Sequence, residues 1–170
     1  MLDETWILET PPLTSCYCRI GEQREIPITG NHAKRILQGV LHVHSGDVLL
    51  SVTEKWTQET HQRFLQKLRA HWRGWQIVLF DDRASQHTAG ASQGWAHELG
   101  IQLRFLPRAT PELNAMDHLW RHTKRFGLAN CKTVSITQSA ETACQYILNL
   151  SPHERLQKAG ILSGHFWLIN

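Results

Sequence analysis

The chain has 170 residues, of which 41% are hydrophobic and 19% are charged, and its formal net charge is +3 at pH 7. These values are typical of one globular domain that buries a sizeable core, and they leave little room for a second domain. The first residues are acidic and no apolar run approaches the length that crosses a membrane, so we expect neither a signal peptide nor an anchor. The small positive charge permits a phosphate-bearing partner but does not by itself indicate nucleic acid.

The chain contains four cysteines, which are Cys16, Cys18, Cys131 and Cys144. Their spacing is not that of a zinc ribbon, and a reducing cytosol would keep them as thiols. We therefore expect a protein of the cytoplasm that has no cysteine-bound structural zinc.

Two stretches near the start of the chain predict a strand and a loop. Polar and apolar residues alternate over Leu2–Leu8, which predicts a strand that has Asp3 near its beginning and stops before Pro11. Glycines and polar residues are frequent over residues 13–33, which predicts a loop that contains one short strand around residues 16–20.

A hairpin is predicted next. Residues 35–44 and 48–52 are rich in aliphatic side chains, and the Ser-Gly-Asp sequence between them is typical of a tight turn. Together with the first strand, these two strands would form a meander. His42 and His44 would share one face of the second strand, either as a solvated edge or as two metal ligands, although no third ligand is evident nearby.

Helical and strand patterns alternate through the middle of the chain. Thr57 is a suitable N-cap for a helix that runs to about Trp72 with its apolar residues on one face. The apolar run that precedes Asp81 predicts a strand buried on both faces. A second helix over residues 91–99 and a strand over residues 101–106 follow.

The last part of the chain is predicted to be helical. The Thr-Pro-Glu sequence at residues 110–112 is a strong helix start, and we expect that helix to reach about Phe126. Two further helices are predicted over residues 135–149 and 152–159. The apolar residues 166–169 must pack against the rest of the chain or against a partner.

Asp81 and Asp82 stand directly after the predicted buried strand. Open α/β sheets bind ligands beyond the carboxyl ends of such strands, so a pair of acids there indicates a site. The residues alone equally permit a simpler interpretation, in which the two acids open a polar turn.

One long segment gives the sequence a family resemblance. Residues 106–120 read Leu-Pro-Arg-Ala-Thr-Pro-Glu-Leu-Asn-Ala-Met-Asp-His-Leu-Trp, and Lys124 and Arg125 follow. This segment resembles the LPxxxPELNPxE/DxxW…K segment of DDE transposases of the mariner-like superfamily, in its bacterial insertion-sequence branch.

Three further segments are similar to the same family. Residues 81–87 resemble its DNxxxH segment, residues 2–5 resemble its first catalytic strand, and residues 150–168 resemble its closing segment. The resemblance therefore covers nearly the whole chain. It implies a ribonuclease-H-like fold, with which the predicted order of strands and helices agrees.

The resemblance also implies a catalytic triad of Asp3, Asp81 and Asp117 that binds two Mg²⁺ or Mn²⁺ ions. With 35 residues between Asp81 and Asp117, this would be a DDD form of the DDE arrangement. Carboxylate oxygens are the ligands that such hard cations prefer, and cleavage of a phosphodiester uses two of them about 3.5–4 Å apart. Without the motif, Asp117 would be interpreted as an exposed helix acid that pairs with Arg121 four residues later.

Basic residues around the third acid are candidates for contacts with DNA phosphates. Arg121 and Lys124 would share a helix face with Asp117, so one helix would offer an acid to metal and bases to the phosphates that flank it. Arg108 and Arg125 extend this basic stretch, which would alternatively be a solvated face.

Two histidines lie near the predicted acids, and their roles are open. His87 and His118 would touch the cleaved strand, order the metal ligands or simply pack in the fold. We include His87 among the candidate DNA contacts.

The sequence departs from the family pattern at three places. Asp82 replaces the usual asparagine, and the added charge either hinders the neighbouring acid or recruits metal. Ala115 replaces the usual proline, which would let the helix begin earlier and change the direction of Asp117. The chain begins two residues before the first acid, so a separate or frameshift-fused helix-turn-helix region is expected to supply sequence-specific DNA recognition.

We therefore predict one α/β domain over residues 1–170, in which helices flank a central mixed five-stranded sheet and a helical tail begins near residue 135. The resemblance implies the catalytic domain of a transposase that cleaves DNA and transfers its strands, with a homodimer as a candidate assembly and the bacterial nucleoid as its place of action. One alternative is a catalytically inactive transposase remnant that binds DNA or protein. Another is a different nuclease of the same fold that acts on RNA or on junctions.

Overall fold

The computed structural model describes residues 1–132 and 134–168, and its strands form two small sheets. The strands are β1 (Leu2–Leu8), β2 (Lys34–Leu41), β3 (Val48–Thr53), β4 (Ile77–Asp81) and β5 (Ile101–Phe105). The first sheet is antiparallel and has β2 between β1 and β3, and the second sheet is a parallel pair of β4 and β5. The predicted meander and the predicted strand that leads to Asp82 are therefore confirmed, and β4 pairs in parallel with β5. β4 is not buried on both faces as predicted, because Val78 is 50% exposed.

The helices occur in the predicted order, apart from one short helix, Ser85–Thr88, which forms where a polar bend was expected. They are α1 (Gln58–His71), α2 (Ser85–Thr88), α3 (Gly90–Glu98), α4 (Ala115–His122), α5 (Ile136–Asn149) and α6 (Pro152–Lys158). A π-helical turn, Thr123–Leu128, continues α4, and 3-10 turns occupy Pro111–Leu113 and Ile161–Ser163. Within the described ranges, none of the helices combines the length and the apolar character that a membrane crossing requires.

The predicted five-stranded sheet is wrong. β1 lies beside β4, but in the described part of the chain no ladder of backbone hydrogen bonds joins the two strands. Side chains connect them instead, because the His87 ring lies 3.1 Å from Glu4 Oε1 and 3.0 Å from Asp81 Oδ1. Leu2 from β1 and Leu79 from β4 also belong to one apolar core cluster.

Two predictions in the first third of the chain also differ from the structure. Residues 9–33, all of which are described, contain no helix or strand, so the short strand around residues 16–20 is absent. His42 and His44 follow β2 and lie in the turn, because β2 ends at Leu41. His42 Nδ1 lies 2.6 Å from Ser45 Oγ, a contact that stabilises the turn.

α1 begins where the sequence predicts. Thr57 caps it in a capping box, since Thr60 N donates to Thr57 Oγ1 at 3.3 Å and Thr57 N donates to Thr60 Oγ1 at 2.9 Å. The buried face of α1 carries Phe64, Leu65 and Leu68, and it also carries His61. A fully buried histidine on an apolar face needs partners, and it bears on the site described below.

α4 packs closely on the three-stranded sheet above Gly39. Gly39 pairs with Asp3 across β1 and β2, and a Cβ atom at Gly39 would lie 2.7 Å from Trp120 and 2.5 Å from Met116. The missing side chain lets α4 approach the sheet directly beside Asp3. This close approach brings Asp117, in the first turn of α4, to the same part of the molecule.

We expect Gly39→Ala to lower the free energy of unfolding by about 1–3 kcal/mol, because the added methyl group overpacks the contact with α4. Gly94→Ala is the matched control, since Gly94 lies inside α3 and no atom lies within 4 Å of a Cβ added there. It should raise the free energy of unfolding by about 0.5–1 kcal/mol. Chemical denaturation measures both values, and equal effects would contradict the close packing at Gly39.

The C-terminal segment docks on the domain. Phe166 is buried in the main core, the Trp167 ring meets Phe80 at 5.4 Å, and Trp167 Nε1 donates to Leu113 O at 2.9 Å. The predicted packing of this tail is confirmed as far as Leu168, and Ile169 lies outside the described residues.

Candidate active site

Acidic side chains from three elements line one open cleft. Asp3 from β1, Asp117 from α4 and Asp82 after β4 contribute to a cleft of about 320 Å³. Arg108 and Asn114 line the same cleft. The cleft therefore joins two of the three predicted catalytic acids with Asp82, whose role the sequence left open.

Asn114 fixes the start of α4 relative to β1. Its Oδ1 accepts a hydrogen bond from Met116 N at 3.0 Å, and its Nδ2 donates to Leu2 O at 2.8 Å. Leu2 precedes Asp3, and Asp117 lies in the first turn of α4. One buried amide therefore links the two elements that carry these carboxylates.

The predicted helix start at residues 110–112 is wrong. Pro111–Leu113 form a 3-10 turn, and the Thr110 hydroxyl donates to Pro107 O at 2.9 Å instead of capping a helix. Asn114 is extended, with φ −95° and ψ 107°, and separates this turn from α4. Because Asn114 caps α4, the helix does not begin earlier as the alanine at position 115 had suggested. The predicted end of the helix near Phe126 falls in the π-helical turn that continues α4.

Asp81 is buried behind the cleft and does not line it. Its Oδ1 lies 3.0 Å from His87 Nδ1 and accepts a hydrogen bond from Asp82 N at 2.9 Å. Its Oδ2 is buried and has no hydrogen-bond partner among the described residues. A buried carboxylate oxygen without a partner is costly, so a cation is an occupant that fits this position.

Asp82 points to the cleft and has more partners than Asp81. Its side chain is 52% exposed, its Oδ1 lies 2.7 Å from His87 Nδ1, and the same oxygen accepts from Ala84 N at 2.8 Å. These hydrogen bonds hold the pKa of Asp82 below its usual value. The two adjacent acids therefore share His87, with Asp82 at the surface and Asp81 beneath it.

The electrostatics of the cleft also favour a cation. Burial, together with the negative charges of Glu4, Asp117 and Asp82, raises the pKa of Asp3 to about 8. Burial also raises the pKa of Asp81, while its hydrogen bond with His87 opposes that rise. Crowded carboxylates that repel one another are stabilised by a bound cation, so the residues present fit a divalent metal.

Asp117 both pairs with Arg121 on its own helix and lines the cleft. Arg121 Nε donates to Asp117 Oδ2 at 2.8 Å, and Arg121 Nη2 contacts the same oxygen, which is the helix ion pair. The Asp117 side chain is nevertheless 28% exposed and lines the cleft with Asp3. The ion pair therefore leaves Asp117 accessible from the cleft.

The candidate DNA contacts divide into exposed and buried residues. Arg108, Arg121 and Arg125 are exposed, and Arg108 lines the cleft. Lys124 is partly buried, which lowers its pKa, although the nearby charges of Asp117 and Asp3 favour the charged form. His87 is fully buried with both ring nitrogens facing carboxylates, so the structure favours the interpretation in which it orders the acids.

Sequence reasoning missed a buried cluster of Glu4, His61 and His87 behind the cleft. Glu4 Oε1 lies 3.1 Å from His87 Nε2 and 3.9 Å from His61 Nδ1. Burial and, to a smaller extent, the charge of the neighbouring His87 lower the pKa of His61 to about 3. Burial also opposes the protonation of His87, but hydrogen bonds with Asp81, Asp82 and Glu4 raise its pKa.

A signal for this cluster was present in the sequence. Glu4 follows Asp3 on an alternating strand, so the two side chains must point to opposite faces of β1. His61 precedes Phe64, Leu65 and Leu68 at helical spacing, which places it on the buried face of α1.

Comparison with known proteins agrees with this architecture. Residues 1–137 match the model of a family described as DDE superfamily endonuclease. The structure is similar to the Mos1 transposase paired-end complex with the left transposon end, at a TM-score of 0.76 and 18% identity, covering 97% of this chain and 52% of that one. It is also similar to the catalytic domain of Mos1 mariner transposase, at a TM-score of 0.68 and 15% identity, and the match covers 97% of this chain and 76% of that one. The Mos1 catalytic domain with raltegravir and Mg gives a TM-score of 0.66 at 16% identity, and the match covers 97% of this chain and 78% of that one.

The chain spans about half the length of the transposase chain in the paired-end complex. A comparison with curated proteins gave no match. At identities of 15 to 18%, the structural likeness establishes a mixed α/β fold similar to the Mos1 catalytic domain, and no more. The family match covers most of the chain and includes all the carboxylates of the cleft, so the chain is a member of the DDE superfamily of endonucleases.

Proposed function

We propose that this chain is the catalytic domain of a mariner-like DDE transposase, which cleaves DNA strands and joins their ends to a target. The observation that carries the proposal is the cleft in which Asp3 and Asp117 meet Asp82, with Asp81 buried directly before Asp82 in the chain, in a member of the DDE endonuclease family. The similar Mos1 structures include one with a transposon end and others with Mg or Mn, which supports DNA as the partner and a divalent metal as the cofactor.

Asp3, Asp81 and Asp117 are the proposed ligands of two Mg²⁺ or Mn²⁺ ions. Asp81 is preferred to Asp82 because Asp81 Oδ2 has no hydrogen-bond partner among the described residues, whereas Asp82 Oδ1 is already held by His87 and Ala84 N. When bound, two such ions supply activation of the attacking oxygen and stabilisation of the leaving oxygen.

The protein's own groups have supporting roles in this proposal. His87 holds the Asp81 and Asp82 carboxylates, and Asn114 holds α4 against β1, so the acids keep their mutual positions before DNA arrives. Preorganised ligands lower the cost of assembling the site.

Basic residues are proposed to bind the DNA backbone. Arg108 lines the cleft, Arg121 pairs with Asp117, and Lys124 is near Asp117 and Asp3. With the exposed Arg125, they would contact phosphates without reading sequence. Recognition of transposon ends is proposed to come from a helix-turn-helix region, separate or fused by frameshift, with a homodimer at the bacterial nucleoid as the working assembly.

We expect Arg108→Ala to weaken binding to duplex DNA by roughly 3–10-fold at low salt and to reduce the slope of log affinity against log salt by about 1. Arg73→Ala is the control, because Arg73 is exposed but precedes β4, whereas the cleft lies where β4 ends. Fluorescence anisotropy over a salt series measures the slope. Identical slopes for the two variants would exclude Arg108 from the DNA surface.

The proposed function is tested by incubating the purified chain with labelled duplex and supercoiled DNA in Mg²⁺ or Mn²⁺. We expect nicking that EDTA abolishes and that Asp117→Asn removes without unfolding the protein. Nicking that persists in EDTA, or that Asp117→Asn leaves intact, would overturn the proposal. DNA binding without cleavage in either metal would favour the inactive remnant, and cleavage restricted to RNA would favour a different nuclease of this fold.

A further inference from the structure

We propose that Glu4, His61 and His87 form a second metal site, for Zn²⁺ or a similar transition-metal ion, behind the carboxylates of the cleft. The three side chains come from β1, α1 and α2, so an ion there would join three separate elements of the fold. The proposal stands on the geometry of this cluster and does not require the chain to cleave DNA.

The donor atoms are arranged closely enough to share one ion. One ligand atom from each of Glu4, His61 and His87 lies within 4.8 Å of the other two. Glu4 Oε1 is 3.1 Å from His87 Nε2 and 3.9 Å from His61 Nδ1. Ligands of a tetrahedral zinc ion, with bonds of about 2.0–2.1 Å, lie roughly 3.3 Å apart. Glu4 Oε1 and His87 Nε2 are already close to that spacing, and His61 Nδ1 reaches it from Glu4 by a shift of less than about 1 Å.

His61 provides a second observation that points to a ligand. Its ring is fully buried, and neither Nδ1 nor Nε2 has a hydrogen-bond partner among the described residues. The His61 and His87 rings lie 4.5 Å apart, so the unpartnered nitrogens are next to the Glu4 and His87 pair. Buried polar atoms without partners are costly, and a metal ion would satisfy one of these nitrogens.

The surroundings of His87 match those of a metal-bound histidine. Its Nε2 faces Glu4, while its Nδ1 lies 2.7 Å from Asp82 Oδ1 and 3.0 Å from Asp81 Oδ1. Metal-ligating histidines usually donate the other ring N–H to a carboxylate, which fixes the ring and makes it a better ligand. Asp81 and Asp82 already provide that partner.

The chemistry of the donors separates this site from the cleft. Two imidazoles and one carboxylate favour Zn²⁺ or Co²⁺, whereas the cleft offers only carboxylate oxygens, which favour Mg²⁺ and Mn²⁺. Two His and one Glu leave a fourth position for water, as in other three-ligand zinc sites. An ion at this site would hold β1, α1 and α2 in one arrangement.

The site is tested by titrating the metal-free protein with Co²⁺ in excess Mg²⁺, which occupies the oxygen-only cleft. We expect about one Co²⁺ per chain with the intense visible absorption of four- or five-coordinate cobalt, and we expect Zn²⁺ but not Mg²⁺ to displace it. X-ray absorption of the zinc-loaded protein should show two imidazole nitrogens. Either a protein that binds neither metal or a bound ion without imidazole ligands would overturn the proposal.

His61→Phe keeps an aromatic ring in the core and should weaken Co²⁺ or Zn²⁺ binding by at least about 10-fold. Asp117→Asn is the matched control, because it alters the cleft and should leave the cobalt spectrum unchanged. If His61→Phe does not fold, Glu4→Gln serves in its place with the same expected loss. Unchanged affinity in a folded variant would refute the site, whereas lost DNA nicking with an intact cobalt spectrum would refute only the proposed function.

Discussion

Asp81→Asn is expected to reduce metal-dependent DNA cleavage by at least about 10³-fold, whereas Asp82→Asn is expected to reduce it by less than about 10-fold. The two variants remove one negative charge each from neighbouring positions. They therefore separate the loss of a metal ligand from a general loss of negative charge near the cleft.

The different effects follow from the partners of the two carboxylates. Asp81 has a buried Oδ2 with no hydrogen-bond partner among the described residues, and replacing that oxygen by an amide nitrogen turns an acceptor into a donor that repels a cation. Asp82 Oδ1 accepts from Ala84 N and faces His87, and an asparagine oxygen can keep both contacts. Asparagine is also the residue that the resembling family usually has at this position.

Single-turnover cleavage of a labelled duplex in Mn²⁺ measures both rates, and calorimetric titration with Mn²⁺ measures metal affinity. Thermal unfolding checks that each variant is folded. If Asp82→Asn causes the large loss and Asp81→Asn does not, then Asp82, which lines the cleft, is the second metal ligand. Equal large losses would mean that both carboxylates bind metal.

Much of the fold was predictable because the deciding signals are local. The alternation over Leu2–Leu8 predicted β1 and placed Asp3 near its beginning, and Thr57 predicted the start of α1. The apolar run before Asp81 predicted β4. Each of these signals needs only a few neighbouring residues, so tertiary contacts do not overrule it.

The start of α4 was not predictable in the same way, because Thr110 and Asn114 are both suitable N-cap residues and lie only four positions apart. Thr110 with Pro111 is the stronger start by sequence, yet Asn114 caps the helix. Asn114 gains a second hydrogen bond, to Leu2 O, from a strand more than a hundred residues away. That bond exists only in the folded chain, so no local pattern reveals it.

The arrangement of the acids depends on contacts of the same long-range kind. The family resemblance indicated Asp3, Asp81 and Asp117 as candidate metal ligands. The sequence did not indicate which of Asp81 and Asp82 faces the cleft. His87 decides this, since it contacts both acids and also Glu4 from β1. The same side chains fill the junction of β1 and β4, where the predicted ladder is missing.

Asn114→Ala is expected to lower the free energy of unfolding by about 2–4 kcal/mol. The variant loses an N-cap, which contributes about 1 kcal/mol, and it leaves Leu2 O buried without its partner, which costs about 1–3 kcal/mol more. Because the lost amide joins β1 to α4, Asp117 is no longer held against Asp3. We therefore expect Mn²⁺ affinity to fall by about 10-fold as well.

Ser135→Ala is the matched control for this variant. Ser135 caps α5 by accepting from Gln138 N at 3.2 Å, so its loss removes a cap but no link between the acids. It should cost about 1 kcal/mol of unfolding free energy and leave Mn²⁺ affinity unchanged. Chemical denaturation and calorimetric titration measure the two quantities on each variant. If Asn114→Ala loses stability but binds Mn²⁺ as the wild type does, Asn114 stabilises the helix without positioning the metal ligands.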